Sequence, residues 1–489
     1  MKRERFLLLA VVMLLTLARL WLASQWTVTP DEALSWLCSR RMDLAFFDSP
    51  WGVPWLIRWG TALAGDGAYG MRLFFPIAAG VATVAAWALG RRLAGPAAGW
   101  WAAALLNATP GFQISAVEAG AQAPAMAASL IGLAVIASAP TSAVVWIMGG
   151  LAFAVAVQFS LWPLVAALAA LGFFIPLHKE KPSPLLWLHA VCFLSLVGIG
   201  MLPFFIWNQV NQWPVGALGT WQTFTQMSVA ASMGSLNQAI RVISGPALLA
   251  VAVGMALLIL SWRKERRLRR LGVILVPLLL AWLFGALTGQ ASTFLILLSF
   301  VFLVAGISAT LAPWWRNGLG GALALLISIQ FYLQATLRLP DLPWSSVRRS
   351  LEALIESGAP YQTAPLFLIA QSPRLTASLN YHLAQSDIAE EAEVFLLESQ
   401  NLANQFGLWP SYDDFIETKT APDELFEELR AANPNVGRSA FYVTREPMTV
   451  LPQSITAAFE EIQPAVTIDL AEGGMLYIYF CRNYQTMPL

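Results

Sequence analysis

The apolar run FLLLAVVMLLTLARLWLAS (6–24), followed by the acidic stretch TPDEALSW (29–36), decides the fold class of this chain. At 1.5 Å per helical residue, a run of this length crosses the roughly 30 Å hydrocarbon core of a bilayer. The run lacks a small-residue cleavage site and leads into an acidic loop, so we interpret it as a retained membrane span. Asp31 and Glu32 then lie just outside that span, in a chain of which only 12% of the residues are charged.

Similar apolar runs recur through roughly the first 335 residues, and the mean hydropathy of the chain is +0.61. This pattern predicts a polytopic α-helical membrane protein with about eleven transmembrane helices. The predicted spans are 6–24, 71–90, 97–117, 121–139, 142–160, 162–177, 185–207, 241–261, 270–288, 291–311 and 317–336.

Clusters of basic residues predict the orientation, because Lys and Arg are retained on the cytoplasmic side. All of them fall on one side when the spans alternate, and this places the N-terminus in the cytoplasm. Residues 25–70, residues 208–240 and the C-terminal 150 residues are then extracytoplasmic. Because these clusters act as topology signals, we expect no nucleic-acid partner. The clusters are MKRER (1–5), Arg91 and Arg92, HKEK (178–181), RKERRLRR (263–270) and Arg316.

The last third of the chain differs in composition from the rest. Residues 1–340 contain 9 acids and 21 bases, whereas residues 341–489 contain 20 acids and 8 bases. We therefore expect a transmembrane domain at 1–336 and an extracytoplasmic α/β domain at 337–489. Its predicted elements are strands at 364–370, 392–398, 439–445 and 475–481, a helix at 372–385 and an exposed acidic helix at 413–430.

The loop between the first two spans holds five of the nine acids of the membrane part. Two segments of this loop, DEALSWLCSRRM (31–42) and PWGVPWLIRWGTALAG (50–65), space their apolar residues like one side of a helix. We predict two amphipathic helices on the outer surface, with Asp31 and Glu32 in the first turn of one of them, near the positive end of its dipole. The five acids are Asp31, Glu32, Asp43, Asp48 and Asp66.

Several of these motifs, taken in order, resemble a known family. They are TPDEALSW, FFDSPWGVPWLIRWGTALAGDGAYGMRL (46–73), GRRLAG (90–95), WNQVNQWP (207–214) and NQFGLWP (404–410). The set resembles the GT-C membrane glycosyltransferases of the protein O-mannosyltransferase and lipid A aminoarabinose transferase type. The resemblance implies a multi-pass protein of the bacterial inner membrane that moves a sugar from a polyprenyl-phosphate carrier to an acceptor on the outer side. A lipid, a glycan and a protein hydroxyl all remain open as the acceptor.

The resemblance also implies roles for the acid pair. Inverting transfer needs a carboxylate that takes the proton of the acceptor, and this role falls on Asp31. Glu32 would orient Asp31 or help to hold a divalent cation, if one is used. The alternative is that both acids only cap a surface helix.

Three arginines are candidates for holding the lipid phosphate, because guanidinium groups suit phosphate. Arg19 lies near the outer end of the first span, Arg72 at the start of the second, and Arg58 in the first outer loop. The alternative for each is that it extends to the lipid headgroups. NQFGLWP would either shape the acceptor side or simply fold its loop over the sheet.

The chain departs from the family pattern at three places. Gln122 stands where relatives have a second acid, and Glu118 would share its face if this loop is helical. Gln158 replaces a lysine, and its amide can hydrogen-bond a phosphate without neutralising it. Ser49, after Asp48, replaces a histidine. These departures favour an alternative function, that of a catalytically degenerate GT-C-like scaffold or a subunit of a membrane protein complex.

Two other classes are disfavoured by the sequence. A secondary transporter would need ionisable residues in the middle of its spans, and here there are almost none. The three cysteines and three histidines are scattered, which makes a metal site built on them improbable.

Overall fold

The computed structural model describes most of the first 213 residues and parts of the remainder. The described ranges are 2–47, 49–174, 184–213, 273–282, 343–358, 366–386, 393–398, 404–415, 433–448, 450–469 and 475–486, with the single positions 294, 298, 325 and 329. The chain divides into two compact units. The first consists of residues 1–25 and 42–337, and the second of residues 26–41 and 338–489.

The first unit is helical. Its core forms where α5 packs against α6 and α8, and where α9 packs against α8 and α11. Small residues bring these helices close together: a Cβ atom on Gly90 would lie only 2.7 Å from the carbonyl oxygen of Ala98. The α-helices among the described residues of this unit are α1 (Lys2–Gln25), α3 (Gly52–Ala64), α4 (Ala68–Arg72), α5 (Phe74–Ala94), α6 (Pro96–Ala108), α7 (Pro110–Ser115), α8 (Gln122–Ile136), α9 (Ala143–Ala156), α10 (Pro163–Ala170), α11 (Pro184–Gly200), α12 (Leu202–Val210) and α13 (Val273–Trp282).

In the described part of the chain, two helical stretches are long and apolar enough to cross a membrane, Arg3–Gln25 and Ala68–Ala94. A third candidate is the pair Trp187–Gly200 and Leu202–Val210, which is bent by 43°. The predicted spans 241–261, 291–311 and 317–336 lie outside the described residues, apart from isolated positions.

One predicted span is divided in the structure. The sequence suggested a single helix over 97–117, but α6 ends at Ala108 and α7 begins at Pro110. Thr109 between them is extended, with ψ 131°. The residue before a proline is disfavoured in the helical region, and this explains the break.

The second unit contains a six-stranded mixed sheet in the order β2-β1-β3-β6-β4, with β5 also paired to β6. β1 is parallel to β2 and β3, whereas β6 is antiparallel to β3, β4 and β5. The strands are β1 (Phe367–Ala370), β2 (Glu393–Leu396), β3 (Ala440–Thr444), β4 (Phe459–Ile462), β5 (Val466–Asp469) and β6 (Met475–Tyr484).

Both faces of the sheet are buried. Leu368 and Val443 face a core that includes α14 (Pro343–Gly358) and α15 (Pro373–Leu383). Phe367 and Tyr442 face a second core that includes Ile455 of the short helix α16 (Gln453–Thr456). The four predicted strands correspond to β1, β2, β3 and β6, and the predicted helix at 372–385 is α15. β4 and β5 were not predicted, because four-residue strands such as FEEI and VTID give a weak pattern.

The helix α2 (Pro30–Arg40) packs in the second unit, although it follows the first span directly in sequence. It contacts α15, and the rings of Trp36 and Tyr381 meet edge to face with their centroids 5.4 Å apart. Trp36 and Leu37 are buried by this packing. The apolar side predicted for the first amphipathic helix therefore covers the α/β unit. Of the predicted acidic helix at 413–430, only the start is described, within a 3₁₀ turn at Tyr412–Phe415.

Candidate functional site

The N-terminus of α2 is closed by a capping box between Thr29 and Glu32. The backbone N–H of Glu32 donates to Thr29 Oγ1 (3.3 Å), and the backbone N–H of Thr29 donates to Glu32 Oε2 (2.9 Å). The Thr29 hydroxyl also donates to Glu32 Oε2 (3.2 Å). Glu32 is only 3% exposed. Its carboxylate therefore satisfies backbone and side-chain donors at the start of the helix, as the capping alternative requires.

Asp31 differs from Glu32 both in exposure and in the hydrogen bonds of its carboxylate. It is exposed, and in the described part of the chain its carboxylate accepts no hydrogen bond. Its backbone carbonyl accepts a bond from Ser35 Oγ at 3.0 Å, one turn further along α2. The first turn of a helix stabilises a negative charge through the helix dipole. Asp31 is thus an available carboxylate on a well-formed helix start.

The two acids do not form a paired metal site in this structure. Adjacent residues on a helix point in different directions, and here one is exposed and the other buried. Within the described residues, no group of three or more His, Cys, Asp or Glu side chains has the arrangement needed to hold a metal ion.

Arg19 lies in a buried polar cluster of the first unit. It is completely buried, so it does not extend to the lipid headgroups. Its Nη2 donates to Asn107 Oδ1 (2.6 Å) and to Gln113 Oε1 (3.2 Å), and its guanidinium lies 5.6 Å from the ring centre of Phe112. Its Nε and Nη1 have no hydrogen-bond partner among the described residues. Arg19 therefore combines a buried charge with unused donors.

Arg72 is also completely buried, and it contacts the same helix as Arg19. Its Nη1 donates to the carbonyl oxygen of Ala23, which lies four residues after Arg19 in α1. Arg58, on α3, is exposed. The structure therefore separates the three arginine candidates: Arg19 on α1 and Arg72 beside α1 are buried, and Arg58 is exposed.

Glu118 and Gln122 do not share a helical face. Glu118 lies in a bend after α7, and Gln122 is the first residue of α8. The condition for a shared face, a helical loop, is therefore not met between α7 and α8.

Gln158 has no amide hydrogen left for a phosphate. Its Nε2 donates to the carbonyl oxygen of Ala154 (2.9 Å) and to that of Gly200. An amide nitrogen carries two hydrogens, and both are used. The side chain thus joins the end of α9 to the break between α11 and α12. In this conformation, a phosphate could receive an N–H bond from Gln158 only if one of these two backbone bonds were broken.

The loop around Ser49 is a compact turn. The backbone N–H of Phe46 donates to the carbonyl oxygen of Ser49 (2.9 Å), and a bridge pairs Ala45 with Pro50. The following Gly52 donates to the backbone oxygen of Gln158 (2.8 Å), which would lie only 2.5 Å from a Cβ atom at that position. Asp48 lies outside the described residues.

A contact that the sequence did not indicate lies in the same unit. The indole N–H of Trp207 donates to Asp43 Oδ2 (2.8 Å), which joins the first outer loop to the end of the bent pair α11 and α12. Trp207 belongs to the motif WNQVNQWP, whereas Asp43 lies between the motifs TPDEALSW and FFDSPWGVPWLIRWGTALAGDGAYGMRL. The pairing between them depends on the fold, because 164 residues separate them.

The loop NQFGLWP forms a 3₁₀ turn in the second unit. The Asn404 side chain accepts from the backbone N–H of Phe406 (3.0 Å), and Phe406 is buried. Trp409 follows, with the guanidinium of Arg41 placed 5.0 Å from its ring centre. This arrangement supports a packing role for Phe406 and leaves Trp409 at the surface of the turn.

Comparisons with known proteins agree with this architecture. Residues 48–207 match the family model described as dolichyl-phosphate-mannose-protein mannosyltransferase. ArnT from Cupriavidus metallidurans in the apo state has a TM-score of 0.62 and 14% sequence identity, covering 98% of each chain. The same protein bound to undecaprenyl phosphate has a TM-score of 0.63 and 15% identity, covering 97% of this chain and 98% of that one. The chain therefore shares the fold of ArnT over nearly its whole length, and the resemblance found in the sequence is confirmed at the level of the fold.

A curated relative matches over a short stretch. The lipid A galacturonosyltransferase RgtD from Rhizobium johnstonii is 33% identical over 88 residues. The match covers 18% of this chain and 19% of the relative. This match agrees with the family match. It is too short to assign the activity of the whole protein.

Proposed function

We propose that this protein is a membrane glycosyltransferase that moves a sugar from a polyprenyl-phosphate carrier to a hydroxyl acceptor on the outer side of the membrane. The observation that carries the proposal is the exposed Asp31 carboxylate, which is free of hydrogen bonds in the described part of the chain while Glu32 caps the same helix. The fold shared with ArnT, one structure of which contains undecaprenyl phosphate, supports the choice of donor.

The reaction assigns one role to Asp31. The acceptor oxygen attacks the anomeric carbon of the sugar while Asp31 takes the proton of the acceptor hydroxyl. The bond between that carbon and the phosphate oxygen breaks, and the electron pair leaves with the polyprenyl phosphate. The products are the glycosylated acceptor and the free lipid phosphate, and Asp31 returns its proton to water.

The developing charge on the leaving phosphate requires a cationic partner. Arg72 and Arg19 are the candidates, because both guanidinium groups are buried, Arg19 on α1 and Arg72 bonded to the α1 residue Ala23. The unused Nε and Nη1 of Arg19 support its inclusion. Arg58 is less suited, because it is exposed to solvent.

The proposal places the protein in the bacterial inner membrane with a cytoplasmic N-terminus. Residues 1–336 then form the transmembrane domain and residues 337–489 an extracytoplasmic domain, with α2 packed in the second unit. The acceptor is a lipid, a glycan or a protein on the outer side.

A second candidate function is a catalytically degenerate scaffold or a subunit of a membrane protein complex. Gln158, Gln122 and Ser49 favour it, because each replaces a residue with more suitable chemistry in relatives. The hydrogen bonds of Gln158 to backbone carbonyls add to this, since they assign the side chain to packing.

The test is transfer from a radiolabelled undecaprenyl-phosphate sugar by the purified protein in nanodiscs, with Asp31→Asn as the variant. We expect at least a roughly 100-fold loss of transfer, because a general base contributes about that much or more. Ser35→Ala, in the same first turns of α2, is the control. Transfer by the Asp31→Asn variant at the rate of the unaltered protein would overturn the assignment, and an inactive unaltered protein would favour the scaffold.

A further inference from the structure

A cavity of about 110 Å³ with mixed polar and apolar walls opens beside the C-terminal end of α2, within the second unit. Its walls come from three parts of that unit: the end of α2, the helix α15 with the strand β2, and the turn formed by NQFGLWP. Polar groups come from Arg41, Thr376, Asn380 and Glu393, and Trp409 adds an indole ring; the apolar surface includes Leu37, Phe395 and Phe406.

The cavity is too small for a whole oligosaccharide. Pockets that bury a drug-sized ligand measure roughly 300–1,000 Å³. In water, a volume of about 110 Å³ holds roughly four molecules. The cavity therefore takes no more than one ring of a longer ligand, with part of that ring at its open side.

The acceptor groups of the cavity have free capacity. The Asn380 amide donates to the carbonyl oxygens of Thr376 (2.9 Å) and Val394 (3.3 Å), which uses both hydrogens and leaves Oδ1. The Glu393 carboxylate makes only a 3.7 Å contact with Arg438 among the described residues, and its side chain is 68% exposed. Both groups can accept hydrogen bonds from a ligand that donates them.

The cavity also has a hydrogen-bond donor, the guanidinium group of Arg41. The Arg41 guanidinium stacks on Trp409 at 5.0 Å, and its N–H groups donate to no acceptor among the described residues. An anionic ligand would suit Arg41 but would be repelled by Glu393 and by the Asn380 oxygen. A hydroxyl group donates and accepts at once, so a ring with neighbouring hydroxyls satisfies both sides. Trp409 and Phe406 provide apolar surface for the C–H face of such a ring.

We propose that this cavity binds one pyranose unit of a glycan acceptor. The role of that glycan as the acceptor rests on the proposed function. Arg41 follows Asp31 by ten residues on α2 and its cap, which corresponds to roughly 15 Å along the helix axis. The bound unit is therefore not the one that receives the sugar. The acceptor is an extended glycan or glycolipid, held at a ring remote from the reacting hydroxyl, and such remote binding energy positions the reacting group.

The test is saturation-transfer NMR with the full-length protein in phosphatidylcholine nanodiscs, because glycoside detergents would compete for the cavity. The probes are the methyl α-pyranosides of glucose, mannose and galactose. We expect at least one to receive saturation, and Trp409→Ala to raise its Kd about tenfold. Glu393→Ala, at an exposed position of β2, should also raise this Kd. The matched controls are Trp59→Ala, at a 50% exposed tryptophan of α3, and Glu461→Ala, at a 52% exposed acid of β4.

Binding of none of the pyranosides, or equal binding by the pocket variants and the controls, would overturn the inference. Competition by inorganic phosphate alone would assign the cavity to an anion instead. The assay involves no transfer, so it separates the two proposals. Pyranoside binding that depends on Trp409, together with unaffected transfer by Asp31→Asn, would retain the cavity as a sugar site and remove the proposed reaction. Loss of transfer in Asp31→Asn without pyranoside binding would do the reverse.

Discussion

Replacing Glu32 with alanine should separate helix capping from chemistry at the start of α2. The change removes the acceptor for the backbone N–H and the hydroxyl of Thr29. A buried donor left without a partner costs roughly 1–3 kcal/mol. Loss of a capping side chain costs roughly 0.5–2 kcal/mol, and the two estimates describe the same event. We therefore expect α2 to be less stably packed by about 1–2 kcal/mol, and transfer per folded molecule to stay within a fewfold.

The chain supplies its own probe for this experiment. Cys38 lies on α2 and is 5% exposed, whereas Cys192 is exposed and can be replaced by serine. In a Cys192→Ser background, the rate of Cys38 modification reports the opening of α2. A cost of one to two kcal/mol corresponds to roughly 5–30-fold faster modification. Cys481, buried in the sheet, is the internal reference for opening of the whole second unit.

Asp31→Asn is the matched variant, because it changes the neighbouring acid and leaves the capping box in place. Its modification rate at Cys38 should rise by less than about fivefold, since only a helix-dipole interaction of roughly 0.3–1 kcal/mol is lost. The reasoning is refuted if Glu32→Ala abolishes transfer while Cys38 is modified at the original rate. Glu32 would then carry the chemistry.

Three further predictions follow from particular contacts. Gln158→Lys should leave the affinity for undecaprenyl phosphate unchanged and lower the melting temperature, because the amide donates to Ala154 and Gly200; tighter lipid binding in a titration would contradict this. Arg72→Lys should weaken undecaprenyl-phosphate binding by about tenfold, since lysine lacks the guanidinium fork, whereas Arg58→Lys should not; equal effects would remove the distinction drawn from burial. Burial, and then the charge of Arg348, lower the pKa of His382 from 6.5 to about 4, so its contribution to stability is present above pH 6.5 and is lost as the pH falls towards 4. The variant His382→Phe keeps a ring against Trp344, and its melting temperature should vary less with pH between 6.5 and 4 than that of the unaltered protein. An equal dependence of the melting temperature on pH would contradict the assignment.

The sheet of the second unit was largely predictable, because its central strands are continuous apolar runs. FLIA of β1 and AFYVT of β3 are buried on both faces, and this is the pattern that identifies an interior strand. β4 and β5 have acids within four residues, and only their pairing with β6 makes them strands. The described helices of the first unit lie within or close to the predicted spans, and the main differences occur at proline breaks.

The candidate site was predictable in composition but not in the division of roles. Asp31 and Glu32 look alike in the sequence, and only the capping geometry makes one buried and the other exposed. The same holds for Arg19 and Arg58: Arg19 is buried against Asn107 and Gln113, far away in the chain, whereas Arg58 is exposed. Gln158 looked like a substitute for a phosphate ligand until its two backbone partners were known.

The sequence by itself determined that this is a polytopic helical membrane protein with the GT-C fold, because hydrophobic runs and an ordered set of motifs are local properties of the chain. Only the tertiary structure decided that α2 packs in the second unit, that Trp207 contacts Asp43, and that Arg41, Asn380, Glu393 and Trp409 line one cavity. These contacts join residues separated by dozens to hundreds of positions. Hydrogen bonds and burial depend on which surfaces meet, and no local pattern specifies that meeting.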